Sequence, residues 1–102
     1  MGFDVVLYNC DGCKLKDIFE ISEELHSEIF NSKKTWRSYM ELRKLSDYYL
    51  TDETFSGERL SNLISDLINY KLFIPANHLA EYEAFIATIS RFEIGKIHIA
   101  GD

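Results

Sequence analysis

Apolar positions in the second half of the chain recur at helical spacing, three and four residues apart. One series follows the i, i+3, i+4, i+7, i+8 pattern of a single helix face: Leu60, Leu63, Ile64, Leu67 and Ile68. This stripe predicts a helix whose N-cap is Thr54 or Ser56, since either side chain can accept a hydrogen bond from the first turn. The predicted helix ends at Tyr70 or Leu72.

Pro75 marks the boundary before the next predicted helix. Proline disfavours helical conformation at the residue before it and is well accommodated at a helix start. We therefore expect a helix over residues 77–91, with an apolar face made of Leu79, Tyr82, Phe85, Ile86 and Ile89. Gly95 ends this helix, and the alternating segment 96–100 predicts a short closing strand.

The first half of the chain opens with a β-rich segment and continues with two further predicted helices. Residues 3–8 are rich in branched and aromatic side chains, which predicts a strand, and residues 9–12 have turn chemistry. A helix is predicted over residues 14–30, where apolar side chains recur at helical spacing: Leu15, Ile18, Leu25 and Ile29. Another is predicted from residue 33 or 35 to residue 50.

Together these segments predict an α+β fold that is mostly helical, with about four helices and two short strands near the termini. The 102 residues, 46% of them hydrophobic and 14% aromatic, supply one core, so residues 1–102 are expected to form a single domain. Two isolated strands are weak. We therefore expect the terminal strands to pair with each other and to pack on the helices.

The segment from Asp17 to Ser32 carries five carboxylates and no lysine or arginine. On the predicted first helix, four of them fall within one narrow arc away from the apolar side: Asp17, Glu20, Glu24 and Glu28. Like charges four residues apart destabilise a helix, so this uncompensated stripe favours a binding role. The alternatives are a solvated helix face, or a stripe neutralised by the basic run at 33–44.

A second acidic surface is predicted where carboxylates alternate with aromatic side chains. It comprises Asp47, Asp52, Glu53 and Glu58, together with Tyr48 and Tyr49. Aromatic anchors beside charged groups are typical of the residues that dominate protein interfaces. The alternative is a polar loop from which Tyr49 packs inward.

The net charge is −6, from 17 acidic and 11 basic residues. A negative field repels phosphate backbones, so no direct nucleic-acid binding is expected, whereas a cationic protein would be attracted. No apolar run approaches the roughly 20 residues that cross a bilayer, and residues 3–7 do not form a signal peptide. We expect a cytoplasmic protein without a membrane partner.

Cys10 and Cys13 form a Cys-x-x-Cys pair after the predicted first strand and at the start of the predicted first helix. A helix N-terminus favours the nucleophilic thiolate. This placement resembles that in glutaredoxins and implies a thiol-disulfide oxidoreductase. The chain departs from that family between the cysteines, where Asp11 and Gly12 replace the expected proline and aromatic residue, and in its helical middle.

The same cysteines are two of the four ligands that a structural zinc site needs. The other two would have to come from His26, His78 or His98, which stand singly rather than at paired spacing. The sequence also shows no spacing that brings a nucleophile, a base and an orienting group together. No catalytic residues, metal site or cofactor are therefore predicted.

Short length, acidity, a mostly helical build and the lack of a catalytic motif resemble the profile of bacterial immunity proteins, in particular those of contact-dependent growth inhibition systems. The resemblance covers the whole chain and involves no diagnostic motif. It implies a one-to-one complex in which acidic side chains cover the basic groove of a protein toxin, with a nuclease as the expected kind. The residues expected at this contact are Asp17, Glu20, Glu24 and Glu28, followed by Asp47, Asp52 and Glu53. An adaptor for a basic peptide is the other binding function that this pattern fits.

Overall fold

The computed structural model describes residues 3–30 and 35–101. Within these ranges the chain forms four strands and three α-helices: β1 (Phe3–Asn9), β2 (Lys14–Ile21), α1 (Glu23–Ile29), β3 (Asp52–Ser56), α2 (Gly57–Tyr70), α3 (Ala76–Ile89) and β4 (Ile94–Ala100). Short 3₁₀ helices occupy Thr35–Ser38, Leu42–Leu45 and Lys71–Phe73. No helix in this part of the chain is both long and apolar enough to cross a membrane.

The strands join one antiparallel sheet in the order β2-β1-β4-β3. The terminal strands β1 and β4 therefore pair in its centre, with Val5 opposite Ile99 and Leu7 opposite Ile97. This confirms the predicted pairing of the two ends of the chain. The strand β2 flanks β1 through a hairpin, and β3 flanks β4 at the other edge.

Alternation of side chains along the strands gives the sheet a buried face and an exposed one. The strand β1 directs Phe3, Val5 and Leu7 into the core, and β4 adds Ile97 and Ile99. The helix α2 packs on β3 and β4, and α3 packs on β2, so the helices lie on this buried side. The opposite side of the sheet points away from the helices, and we call it the open face.

Two buried tyrosines join the helices to one another. Tyr70 on α2 donates a 2.7 Å hydrogen bond to the carbonyl oxygen of Ile29, at the end of α1. Tyr82 on α3 donates a 2.5 Å hydrogen bond to the carbonyl oxygen of Leu67, in the last turn of α2. The last carbonyls of a helix lack donors within it, so each hydroxyl satisfies an acceptor that its neighbour leaves unpaired.

The prediction of a mostly helical fold with about four helices and two short strands is wrong. The helices α2 and α3 lie where they were predicted, and so do both terminal strands. The predicted helix over residues 14–30 is instead β2 followed by the short α1. Along β2 the side chains that pack on the core are Leu15, Phe19 and Ile21, and Phe19 stacks on Phe85 at 5.7 Å. Burial of this strand face against α3 overrides the helical spacing of the apolar residues.

The predicted second helix over residues 33–50 is also wrong. Residues 31–34 lie outside the described ranges, and residues 35–50 form two 3₁₀ helices joined by irregular turns. The carboxylate of Asp66 on α2 accepts hydrogen bonds from the amides of Glu41 and Leu42. Side-chain acceptors of this kind offer backbone amides a partner outside a regular helix.

Two segments that the sequence places between elements, the stretch after residue 50 and Gly95, fall within strands. Residues 52–54 begin β3, which pairs with β4 and buries Phe55. Gly95 lies in β4, beside an irregularity in its pairing with β1. A β-carbon there would come within 2.8 Å of the Cys10 Cα, so the glycine permits close passage of two backbones rather than ending an element.

Candidate functional site

A cleft of about 500 Å³ lies between α1 and the segment that follows the second 3₁₀ helix. Its lining combines two carboxylates with aromatic rings: Glu23 and Asp47, with Phe30, Trp36, Tyr48 and Tyr49. Glu23 belongs to α1, whereas Asp47 belongs to the segment on the other side. Carboxylates beside aromatic rings form a suitable environment for a cationic side chain.

The position of α1 is fixed by a clamp from α3. The Glu81 carboxylate accepts hydrogen bonds from the backbone amide and the hydroxyl of Ser22, each over 2.9 Å. The Ser22 hydroxyl in turn accepts a hydrogen bond from the Leu25 amide, which makes Ser22 the N-cap of α1. One glutamate on α3 therefore holds in place the helix that carries Glu23.

His26 connects the two walls of the cleft. Its Nε2 lies 2.8 Å from the carbonyl oxygen of Leu45 and donates a hydrogen bond to it. The ring also contacts Phe3 and Phe30, with centroids 4.7 and 4.6 Å away. Burial lowers the pKa of His26 from its ordinary 6.5, although the Leu45 carbonyl and the charges of Asp47 and Glu23 oppose this shift. The ring is therefore neutral at neutral pH.

The tyrosine wall of the cleft is built on a turn stabilised by Asp47. Its Oδ1 accepts hydrogen bonds from the amides of Tyr49 and Leu50, each over 3.0 Å. The Tyr48 ring stacks on Phe3 at 5.7 Å, which ties this wall to the core. The end of β4 approaches the same turn so closely that a β-carbon on Gly101 would overlap the Tyr48 carbonyl. The backbone at this wall is thus closely confined.

The other side of α1 borders a second, smaller depression of about 360 Å³. Its lining includes Glu23, Glu24 and Glu28, together with His78 from α3. The carboxylates of α1 therefore border both concave surfaces. The cleft differs from this depression in having aromatic walls.

The structure separates the four residues predicted to form one helical stripe. Asp17 and Glu20 lie on β2, and the Asp17 side chain is outside the described part of the structure. Glu20 points to the open face, whereas Glu24 and Glu28 belong to α1. A common helix face for all four is wrong, because the chain changes from strand to helix at Ser22. Glu24 and Glu28 come together in the depression beside α1.

The second predicted acidic set is also divided. Asp47 lines the cleft, but Asp52 and Glu53 are neighbours on β3 and point to opposite sides of the sheet. Asp52 lies on the open face, where its Oδ1 is 2.5 Å from His98 Nε2. Glu53 accepts a 3.2 Å hydrogen bond from Arg59 on α2. Glu53 therefore serves the packing of α2 beside β3.

Sequence reasoning missed that Glu23 and Asp47 line one cleft, and it missed the hydrogen bonds between Ser22 and Glu81. The helix start did have a local signal, because a serine followed by two glutamates and an apolar residue is typical of an N-terminus. The clamp had no such signal, since Glu81 lies 59 positions away in the chain.

Cys10 and Cys13 do not open a helix, contrary to the prediction. They lie in the turn between β1 and β2, both as exposed free thiols. The Asn9 side chain shapes this turn by accepting hydrogen bonds from the amides of Asp11 and Cys13. The helix-terminal activation expected from the glutaredoxin resemblance thus has no counterpart here. Within residues 3–30 and 35–101 no group of three or more histidine, cysteine, aspartate or glutamate residues is placed to hold a metal ion.

Comparisons with known proteins give no relative for this chain. No protein-family model, no curated protein and no solved structure matches it.

Proposed function

We propose that this protein binds a basic segment of a partner protein in the cleft beside α1. The observation that supports this most directly is the presence of Glu23 and Asp47 on the two walls of one aromatic-lined cleft. The binding surface is thus different from the helical stripe predicted from sequence. Of the acidic residues predicted from sequence, Asp47 lies in the cleft itself, and Glu24 and Glu28 lie beside it.

An arginine or lysine side chain suits this cleft on physical grounds. Each carboxylate can accept a charge-assisted hydrogen bond, and the face of Tyr49 can attract a cation. His26 lines the cleft but is neutral at neutral pH, so it does not repel such a guest. The net charge of −6 adds a long-range field that accelerates the approach of a basic protein.

Within this proposal the partner is a basic protein toxin, such as a nuclease, held in a one-to-one complex. A nuclease groove is basic because it binds phosphates, so a carboxylate-rich surface complements and occludes it. Short length and acidity support this choice, because bacterial immunity proteins share both features. The mostly helical build no longer supports it, since the described part of the chain forms a four-stranded sheet. The protein would then act as an inhibitor rather than an enzyme, in the cytoplasm, where free thiols such as Cys10 and Cys13 persist.

Co-purification from the source cells tests the proposal. The tagged protein is captured at low salt and its partners are released with a salt gradient. We expect one stoichiometric basic protein that leaves as the salt concentration rises and has nuclease activity once freed. Recovery of a basic partner without toxic activity would indicate an adaptor for a basic ligand instead of a toxin inhibitor. Recovery of no stoichiometric basic partner would contradict the proposal.

Two matched variants connect this partner to the cleft. Glu23→Lys reverses a charge in the cleft. Glu58 was predicted in the second acidic surface, but it lies in the first turn of α2 and does not line the cleft, so Glu58→Lys makes the same change outside it. Both replacements lose a similar favourable interaction with a helix N-terminus, so their effects on folding are comparable. We expect Glu23→Lys to weaken binding by roughly tenfold or more, and Glu58→Lys to have a much smaller effect. Equal losses, measured by titration calorimetry, would remove the cleft from the interface.

A further inference from the structure

The open face of the sheet separates its charges by sign along the strands. The register aligns one row of residues across all four strands: Glu20, Asp4, Ala100 and Asp52. We call this the acidic row, since three of its four members are carboxylates. His98, one row away, is hydrogen-bonded to Asp52. The acidic row lies at one end of the open face.

The other end of the open face is basic. The corresponding row, called the basic row, consists of Lys14, Tyr8, Lys96 and Ser56. The ammonium group of Lys96 lies 4.4 Å from the centroid of the Tyr8 ring, which keeps this lysine on the face. Lys16, exposed on β2 beside the irregularity in its pairing with β1, is the third lysine at this end.

Between these rows lies a middle row with little charge. It consists of Ile18, Val6, His98 and Thr54. Ile18 is 51% exposed, which is high for an isoleucine in a sheet that has a well-formed core on its other side. The open face thus has a partly apolar centre with opposite charges on its two sides.

This pattern is complementary to itself under one symmetry operation. A two-fold axis that runs along the middle row turns the open face onto a second copy and reverses the strand direction. The acidic row of each copy then lies on the basic row of the other, and Ile18 meets its own equivalent. A two-fold axis parallel to the strands would instead place like charges on one another.

We propose that two copies of this protein pair through their open faces, with the two-fold axis along the middle row. In this arrangement Glu20 faces Lys14 and Lys16 of the second copy. Lys96 lies over Ala100 of the second copy, between its Asp4 and Asp52 on the two flanking strands. The two sheets pack at the spacing of a β-sandwich, about 10 Å. Four strands are about 19 Å wide and roughly 20 Å long, so each face covers roughly 400 Å². That area is small for a stable interface, so the dimer is weak and depends on concentration.

The dimer is independent of the proposed partner-binding function. The cleft is formed by α1 and the segment over residues 46–49, on the helical side, where His26 contacts the inward-facing Phe3. Pairing of the open faces leaves both clefts uncovered. Self-association is measured on the purified protein alone, so its failure would leave the partner-binding test unaffected.

Sedimentation velocity over a concentration series, from low micromolar to near millimolar, tests the dimer. We expect a reversible monomer–dimer equilibrium that Ile18→Asp abolishes, because the two-fold axis brings the new carboxylates together. The matched control is Ile68→Asp on α2, where the isoleucine is 54% exposed. A protein that stays monomeric throughout would overturn the proposal. So would a dimer that survives Ile18→Asp, or one that Ile68→Asp abolishes.

A charge exchange tests the arrangement itself. Glu20→Lys alone and the double variant Lys14→Glu/Lys16→Glu alone should each be monomeric, since each places like charges together along β2. An equal mixture of the two should form heterodimers, because the new lysine of one variant then meets the new glutamates of the other. Circular dichroism confirms that the variants fold. A mixture that stays monomeric, or variants that dimerise alone, would contradict the two-fold arrangement.

Discussion

At the scale of single residues, His26 shows how a polar side chain can serve both the core and the cleft. Its ring packs among Phe3, Phe30 and Tyr48, where it takes the place of an apolar side chain. Its Nε2–H satisfies the Leu45 carbonyl at the end of a 3₁₀ helix. This bond requires only one ring proton, so the neutral ring fulfils the structural role, and protonation would add a charge that burial disfavours.

The lowered pKa of His26 predicts loss of stability in mild acid. Below about pH 6.5 the unfolded chain binds the proton more readily than the folded protein, so the free energy of unfolding falls as the pH falls. The decrease ends once the pH is below the folded pKa. One such group contributes a slope of at most about 1.4 kcal/mol per pH unit. We expect urea unfolding, measured from neutral pH to about pH 5, to show this decrease.

The variant His26→Leu provides the control for this pH dependence. It removes the titrating group and the hydrogen bond to Leu45, so its stability should be lower at neutral pH but should change less between neutral pH and about pH 5. An unchanged slope in His26→Leu would assign the pH dependence to other groups.

At the scale of secondary-structure elements, the buried tyrosines supply the hydrogen-bond donors that carbonyl groups at helix ends lack within their own helix. The hydroxyls of Tyr70 and Tyr82 each satisfy the end of a preceding helix. Burial raises the pKa of both phenols, so each remains a donor at all ordinary pH values. This chain of contacts runs from α3 to α2 and from α2 to α1.

Removal of the Tyr82 hydroxyl should therefore destabilise the protein without a change in packing. We expect Tyr82→Phe to lower the free energy of unfolding by about 1–2 kcal/mol, because the Leu67 carbonyl loses its partner in the core. Tyr8→Phe, at a half-buried position on the open face, is the control. Its free energy of unfolding should stay within about 0.5 kcal/mol of that of the parent protein. Equal effects of the two changes in denaturant unfolding would argue against a role for the buried hydrogen bond.

The elements differ in how well the sequence predicts them. The helix α2 follows from the sequence, because its apolar stripe is long. Ser56, one of its two predicted N-caps, directly precedes the helix, although its side chain makes no cap hydrogen bond. The strand β2 does not, since Leu15, Ile18, Leu25 and Ile29 match helical spacing across a strand–helix boundary. Ile18 was the misleading member, because it lies on the open face rather than in the core. The cleft depends on this same boundary, so its residues were predicted only in part.

At the scale of the whole molecule, the sheet joins the two ends of the chain at its centre. The strands β1 and β4 are paired on both sides, whereas β2 and β3 are edge strands. Pairing of residues 3–9 with residues 94–100 closes nearly the entire chain into one loop. Closing so long a loop costs conformational entropy, which contacts in the rest of the fold must offset. The central pair therefore forms and opens together with the whole structure.

This topology predicts the pattern of native-state hydrogen exchange. The amides of Val5, Leu7, Ile97 and Ile99 should exchange only through global unfolding, because their strands are central and their side chains are buried. Amides of β3 should exchange faster, since this strand is short and has one neighbour. NMR-detected exchange in dilute protein, where the monomer dominates, measures both sets. Slower exchange in α2 or α3 than in the central strands would place the stable core in the helical layer. In that case, loss of either terminal strand would leave a folded remainder, whereas the topology predicts that neither strand can be removed without unfolding the domain.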